Sequence, residues 1–560
     1  MKTYFVYKKT LASLLIRIFC KDFFYWSRKG KNLKRIPFPS PSSFYYLQSK
    51  SRKHLSDYFS ANFPKQSKLL IRDYLKKKIS YDFSDYFFFR YSVSKMSQAK
   101  DMYFHISAPT FLENIFLNKK NNISIVNTIK NSIALFLSIF KMIRDIFICL
   151  VTLKKIDRPD IFIYNKKISL NSYRFKKGSL KSSYENVFFG FSIKKNPYNV
   201  YYLNSFRGAI LNSIKSFFFT IKFSLLYLFT FSKMNLPSSY FMNFVQDVFI
   251  VSNLVKLNPI IYFGILEKQQ FILLNLFKQK WQKTMVVTDA FVFQPVNHID
   301  YLYADKLFIM NEIELTNINI NGGKIKKSKI IGNFYTTKKS ISNEISKDIK
   351  KLINNFNYKV LIATNRIHND KFYPITKEHN DKFLLKIIEL ANNNKDSLFM
   401  IKTKKGEYKF FNKHIKAEIL SSNNITLLES VNPNFEKKNK FEDLINESNM
   451  LISSFFCSTV IWQALGKKIP TIAINDVYKK SFLEKYKLLE VKLDDLKTAF
   501  NYWKNIQKKE MNDFFLELNN DTKVLDFSSL SVISKHINKE IKESKKIKNE
   551  AFSKYRPNHI

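Results

Sequence analysis

Residues 449–476, NMLISSFFCSTVIWQALGKKIPTIAIND, constrain the fold of this chain more than any other stretch. Met450, Leu451 and Ile452 form an apolar run that stops at Ser453 and Ser454. Phe455, Phe456 and Cys457 supply a turn. Ser458 and Thr459 stand where a helix would be capped, and residues 460–465 carry that helix. Gly466 is expected to end it, and 469–474 form the next strand around Pro470. The segment therefore reads as strand, hydroxyl-rich turn, helix and strand. A helix N-terminus carries free amide N–H groups, so one approached by hydroxyls is a ready anion site.

The same alternation runs through much of the chain. Strands are expected at 159–164, 186–190, 200–203, 260–264, 284–290, 303–310 and 328–333, with helices at 214–231, 240–257 and 268–280. A Lys-, Ser- and Asn-rich crossing at 334–357 leads to a second series. It has strands at 358–364, 398–403 and 425–428 and helices at 378–393, 408–420 and 440–448. Strands alternating with helices predict an α/β chain with parallel sheets. The tail from about 517 mixes charged and apolar residues, and 539–548 (KEIKESKKIK) reads as a solvated basic helix or a frayed end.

Segment 449–476 resembles the donor-binding segment of GT-B glycosyltransferases, especially bacterial enzymes of surface-polysaccharide and capsule synthesis. Their pattern is roughly a hydrophobic strand, S-x-x-S-T, a helix with E-A-L, G-K-P and a strand. The resemblance covers about residues 240–480. It implies a GT-B-like α/β fold, with two Rossmann-like parallel-sheet domains facing a cleft and a basic, aromatic-rich N-terminal region. The expected division is 1–150 for that region, 151–340 for an acceptor domain, 341–516 for a nucleotide-sugar donor domain, and 517–560 for a basic helical tail. Three departures stand out. One extra residue separates Ser454 from Ser458, Gln463 replaces a frequent Glu, and the family's K-P-H-P strand end is absent.

Sugar transfer from a nucleotide requires that the diphosphate be held, that its developing charge be stabilised, and that a base receive the acceptor proton. The resemblance assigns Ser453, Ser454, Ser458 and Thr459 to the phosphates, although Ser and Thr also serve as plain helix caps. Gln463 falls where a carboxylate would hold the ribose. Lys402, at a strand end, faces the ligand crevice of a parallel sheet or is simply solvated. Thr364, Asn365 and Arg366 follow the first strand of the second half and can all donate to phosphate oxygens. Glu429 ends the 425–428 strand, an edge that contacts the nucleotide base in the family. For the base, Asp289 is preferred, then His298, then Glu267. A lone acid at a strand end is otherwise a helix cap. No metal site is expected, Asp476 and the other scattered acids are taken as surface residues, and no cofactor beyond the nucleotide-sugar is implied. Gly332 and Asn333 are expected to turn the chain at an interdomain hinge.

Composition narrows the partners. Lys and Arg total 93 against 45 acids, a formal charge of +48. Either an anionic partner or a genome rich in Lys, Asn, Ile and Phe codons accounts for this. The cations are dispersed and no nucleic-acid signature is present, so no nucleic acid is expected; an anionic inner-membrane surface is. Three cysteines exclude a disulfide framework and a zinc site. Residues 133–153 and 214–231 are apolar but hold Lys141, Arg144, Asp145, Lys215 and Lys222. They read as amphipathic helices on a membrane surface, or as core helices, rather than spans. The first 26 residues are weakly signal-like, with Arg17 breaking the apolar run at 11–20, and read as a basic amphipathic or buried segment. The expectation is a cytoplasmic glycosyltransferase at the inner face of the plasma membrane, with a glycan or lipid-linked glycan acceptor. The rivals are a polyol-phosphate transferase or nucleotide-sugar epimerase of the same fold, a nucleic-acid-binding protein, and a non-catalytic assembly protein.

Overall fold

The computed structural model describes residues 3–6, 23–25, 41–63, 69–100, 104–107, 109–119, 123–152, 161–164, 200–203, 214–256, 258–265, 270–288, 301–320, 322–332, 347–364, 377–403, 407–431, 441–455, 459–476, 482–486, 488–526 and 529–553. The strand expected at 186–190 lies outside them. So do Glu267, Asp289, His298, Asn365, Arg366 and Ser458.

The first region is more structured than its sequence suggests. Strands β1 (Thr3–Val6), β2 (Phe23–Tyr25) and β3 (Phe104–Ser107) form a small parallel sheet in the order β2-β1-β3. Two of these strands fall inside the expected amphipathic N-terminus, because Thr-Tyr-Phe-Val and Phe-Phe-Tyr suit a pleated surface. Helices α1 (Pro41–Asn62), α2 (Leu69–Lys100), α3 (Thr110–Phe116) and α4 (Ile125–Thr152) follow. Helix α2 is pinned to the next region by buried Tyr–Asp pairs. Tyr74 donates to Asp247 at 2.6 Å, and Tyr303 donates to Asp73. The aromatic excess thus serves docking as well as core volume.

The first large sheet contains β4 (Ile161–Tyr164), β5 (Val200–Leu203), β6 (Ile261–Ile265), β7 (Lys283–Val287), β8 (Tyr303–Ile309) and β9 (Lys324–Ile330). All pair in parallel, in the order β5-β4-β6-β7-β8-β9. Helices α5 (Ile214–Lys233) and α6 (Ser238–Lys256) lie between β5 and β6 in the chain, α7 (Gln270–Phe277) follows β6, and α8 (Glu312–Ile320) follows β8. β9 starts four residues before the expected strand at 328. It is an edge strand, largely exposed and carrying Lys324, Lys326, Lys327 and Lys329, so no apolar run marks it. Edge lysines discourage pairing with another chain.

The second sheet contains β10 (Tyr358–Ala363), β11 (Ser397–Lys402), β12 (Ile425–Leu427), β13 (Met450–Ser453), β14 (Thr471–Ile474) and β15 (Glu490–Val491). Its order is β12-β11-β10-β13-β14-β15, again fully parallel. The central strands are buried along nearly their whole length, as expected for a sheet covered on both faces. Helix α9 (Lys347–Asn354) precedes β10, and helices α10 (Lys377–Asn392), α11 (Lys413–Ser421), α12 (Leu428–Val431), α13 (Phe441–Asn446) and α14 (Thr459–Leu465) connect these strands. The helix expected at 408–420 is broken into a 3-10 turn and α11, because the Asn412 side chain caps the His414 amide at 3.1 Å. α14 ends at Leu465 with Gly466 directly after it, as expected. The left-handed residue of the stop is Lys468 (φ 58°), with Ile469 N–H donating to Ala464 O and Lys468 N–H to Leu465 O, a Schellman motif.

Helices α15 (Leu496–Asn505), α16 (Lys508–Thr522) and α17 (Ser529–Ser553) complete the chain. The tail is not simply solvated. Ile533, Ile537, Ile541 and Ser544 form a buried stripe on α17, and Lys306 of β8 bonds Glu540 at 3.1 Å. Gly332 (φ 72°) turns beneath this return, where a Cβ would lie 2.7 Å from the Asp526 carbonyl. The fold is GT-B-like: two parallel-sheet α/β domains plus the basic, aromatic-rich N-terminal region.

Candidate functional site at the carboxyl edge of the second sheet

The chain order of the second sheet creates a crevice. From β10 the chain moves outward through β11 to β12, then crosses to the other side of β10 for β13, β14 and β15. The connections leave β10 and β13 in opposite directions. In open α/β sheets, ligands bind outside the carboxyl ends of the strands at such a switch point. The register aligns these ends: Ala363 pairs with Lys402 and Ser453, and Ser453 pairs with Ala473.

Thr364 and Ser454 stand at that point. Thr364 N–H donates to Lys402 O at 3.2 Å, and Ser454 N–H donates to Ala363 O at 3.0 Å, so both are held by the sheet backbone. The Thr364 hydroxyl is buried and has no hydrogen-bond partner. Ser453 is different: its hydroxyl donates to Phe455 O at 2.9 Å and closes the turn. Thr459 is the first residue of α14 rather than its cap, and Gln463 is buried on that helix. With seven residues, α14 is short and contributes little dipole.

One strand further out, Lys402 is largely buried, with its side chain 13% exposed. Its ammonium is 4.0 Å from Glu429 Oε1. That oxygen also accepts from the Thr403 amide and hydroxyl, both at 3.0 Å. The other carboxylate oxygen, Glu429 Oε2, is buried without a partner. Burial raises the Glu429 pKa and outweighs the opposing pull of Lys402. Burial likewise lowers Lys402 against the pull of Glu429. The sequence marked Glu429 only weakly, since its burial depends on Thr403 and Lys402 arriving from a neighbouring strand.

Two residues were invisible in the sequence. Asn380, in the first turn of α10, is fully buried with neither side-chain oxygen nor nitrogen partnered. Its neighbour His379 places Nδ1 3.8 Å from Asp476 Oδ2, just beyond β14. Asp476 also accepts from the Leu493 amide at 2.9 Å, so it is a structural acid rather than a free surface one. Burial lowers the His379 pKa despite Asp476. This pair brings the start of α10 to the same edge of the sheet.

At the carboxyl edge of the first sheet, the described acid is Glu314. Its Oε2 accepts from the Thr288 hydroxyl and the Met310 amide, each at 2.9 Å, while Asn311 caps the Glu314 amide. This is a capping arrangement that closes the end of β8 onto α8.

No family model matches the chain, and no curated protein matches it. Solved structures similar to it include the S. aureus MnaA–UDP co-structure, at 11% identity and TM-score 0.39, covering 67% of this chain and 95% of that one. The wall teichoic acid polymerase TagF is similar at 10% identity and TM-score 0.39, over 75% and 98% of the two chains. The Methanocaldococcus jannaschii UDP-GlcNAc 2-epimerase bound to UDP-GlcNAc and UDP is similar at 14% identity and TM-score 0.37, over 62% and 92%.

Proposed function

We propose that this chain is a metal-independent glycosyltransferase that moves a sugar from a nucleotide-sugar to a cell-surface glycan or lipid-linked glycan. It would work in the cytoplasm at the inner face of the plasma membrane. The observation that carries the reading is that Thr364, Asn380 and Glu429 bring buried, unpartnered polar atoms to the carboxyl edge of one sheet. Each buried unsatisfied group costs about 1–3 kcal/mol, more when charged. A polar ligand spanning this edge would recover that cost.

In this reading Thr364, Ser454 and Thr459 donate to the diphosphate, with Asn365, Arg366 and Ser458 from the adjoining loops, and Lys402 supplies positive charge. Neighbouring strands are about 4.8 Å apart, so Glu429 sits about 10 Å from Thr364, a reach that suits the nucleoside end of the same ligand. The acceptor hydroxyl oxygen bonds to the anomeric carbon. The bond from that carbon to the diphosphate oxygen breaks, and its electron pair leaves with the diphosphate. Asp289, His298 or Glu267 of the first half takes the acceptor proton. A polyol-phosphate transferase or an epimerase would use the same donor edge and differ in product.

The test is a thermal-shift panel of UDP-, GDP-, CMP-, CDP- and dTDP-sugars with the native chain, Thr364→Val, and Ser458→Ala/Thr459→Ala. A shift with one nucleotide class, lost in the variants, supports the reading, and the product formed from that donor separates transfer from epimerisation. No shift with any nucleotide, together with salt-sensitive binding to RNA or DNA, would overturn it.

A further inference from the structure

Helices α4 and α5 are apolar on both faces: Leu135 and Met142 of α4 and Phe223, Tyr227, Leu228 and Phe231 of α5 are buried, yet each helix also presents a line of large apolar residues to solvent. Along α5, Ser216, Thr220 and Ser224 are buried at helical spacing, while Phe218, Leu226 and Phe229 are 63%, 68% and 57% exposed. Along α4, Asn131, Ala134 and Ser138 are buried, while Ile129, Ile133, Phe136, Phe140, Ile143 and Phe147 form an exposed line at alternating steps of four and three. A surface helix in water places its large apolar residues on the packed side. A helix that is apolar on its packed face and on its outer face, with small and hydroxyl residues at the helix contacts, suits surroundings of lipid.

The inner faces are packed against neighbouring helices. α4 and α5 pack on each other and on α6. Asn131 donates to Ser232 at 3.2 Å, and Lys141 donates to Gln246 at 2.8 Å. By length and apolar composition, Ile125–Phe147 and Ile214–Lys233 are each able to cross a membrane. Their inner faces are held by α6, however, and cations punctuate their outer faces. That combination suits helices lying along an interface with the outer face immersed.

We propose that the joint outer face of α4 and α5 seats on an anionic lipid bilayer. The charges choose this occupant. Lys130, Arg144, Lys215 and Lys222 are exposed among the apolar residues. The acid beside them, Asp145, is paired with Arg144 at 2.8 Å. Long basic side chains reach anionic headgroups while their stems stay in the apolar layer. A second copy of this chain is the weaker occupant, because an isologous contact would set the same cations against one another. The inference gives the membrane contact its residues and stands apart from what the second sheet binds.

The experiment is co-sedimentation of the full chain with vesicles of phosphatidylcholine alone and of phosphatidylcholine with phosphatidylglycerol. The native chain should sediment with the anionic vesicles, and salt should weaken this without abolishing it. Phe136→Asp/Phe140→Asp and Leu226→Asp/Phe229→Asp should each lower partitioning by at least about tenfold, since each removes two aromatic or aliphatic anchors. Lys215→Glu/Lys222→Glu should reduce binding to the anionic vesicles. Melting temperatures should hold, as these side chains point outward. The proposal is overturned if the native chain ignores both vesicles or if the Asp variants bind like the native chain. It is also overturned if the native chain is a vesicle-indifferent dimer that the Asp variants convert to monomer.

Discussion

Asp305 and Glu429 are both buried carboxylates, and their surroundings are opposite. Asp305 of β8 is saturated: Lys278 and the Thr284 amide and hydroxyl bond one oxygen, and Lys326 bonds the other at 2.8 Å. Burial alone would raise its pKa. The Lys278 charge and the hydrogen bonds from Lys278, Lys326 and Thr284 overcome this and hold it at about 2. Burial lowers Lys278 to about 8 even beside its partner, so the benefit of the pair is read on Asp305, which has several donors. Glu429 keeps one oxygen unpartnered and titrates above its usual range. The first acid holds a fold together. The second is kept at a cost, and in the proposed reading a ligand recovers it.

The largest effect expected from this contrast is in Asp305→Ala. Removing the acid leaves Lys278 buried and unpaired, which should cost about 3–5 kcal/mol in denaturant titration. The native chain should also keep the Asp305 contribution above pH about 4 and lose it as pH falls toward about 2, because the folded pKa is depressed. Gly332→Ala comes next. It combines a positive φ with a clash at Asp526 O and should cost about 1–3 kcal/mol, read as a lower midpoint.

Thr364→Val should leave the melting point unchanged or slightly higher, because an unpartnered hydroxyl is replaced by a methyl of similar shape. The same change should weaken nucleotide binding by at least about tenfold. Glu429→Gln should have a small stability effect that depends on pH, because it keeps an acceptor for Thr403 while removing a buried charge. A carboxylate with a raised folded pKa destabilises the native state above that pKa, so native stability should improve as pH falls from there toward 4.5. Melting curves against pH should show this gain in the native chain and lose it in the variant. A variant that instead melts well below the native chain would make Glu429 structural, like Asp305.

Much of the second sheet was legible because its strands are short apolar runs bounded by polar turns. In segment 449–476 the strands Met450–Ser453 and Thr471–Ile474 and the helix Thr459–Leu465 stand close to where the sequence puts them; that Lys468 is the left-handed residue past Gly466 was not legible, because only tertiary context fixes it. β9 was misplaced because an edge strand of lysines has no apolar signal. The first 150 residues gave no motif, since their docking rests on Tyr–Asp pairs far apart in sequence, such as Tyr303 with Asp73. The site was partly legible. Thr364 and Lys402 are named by strand ends, but Asn380 and the state of Glu429 depend on burial, which no local pattern encodes.

The central claim is that the second sheet binds the donor while the first half supplies the acceptor chemistry. Calorimetric titration of the nucleotide-sugar selected by the panel into native, Thr364→Val and Asp289→Asn chains tests it directly. The account predicts that Thr364→Val loses donor affinity and that Asp289→Asn retains it while losing transfer to acceptor. Retained affinity in Thr364→Val, or donor affinity lost in Asp289→Asn, would contradict it.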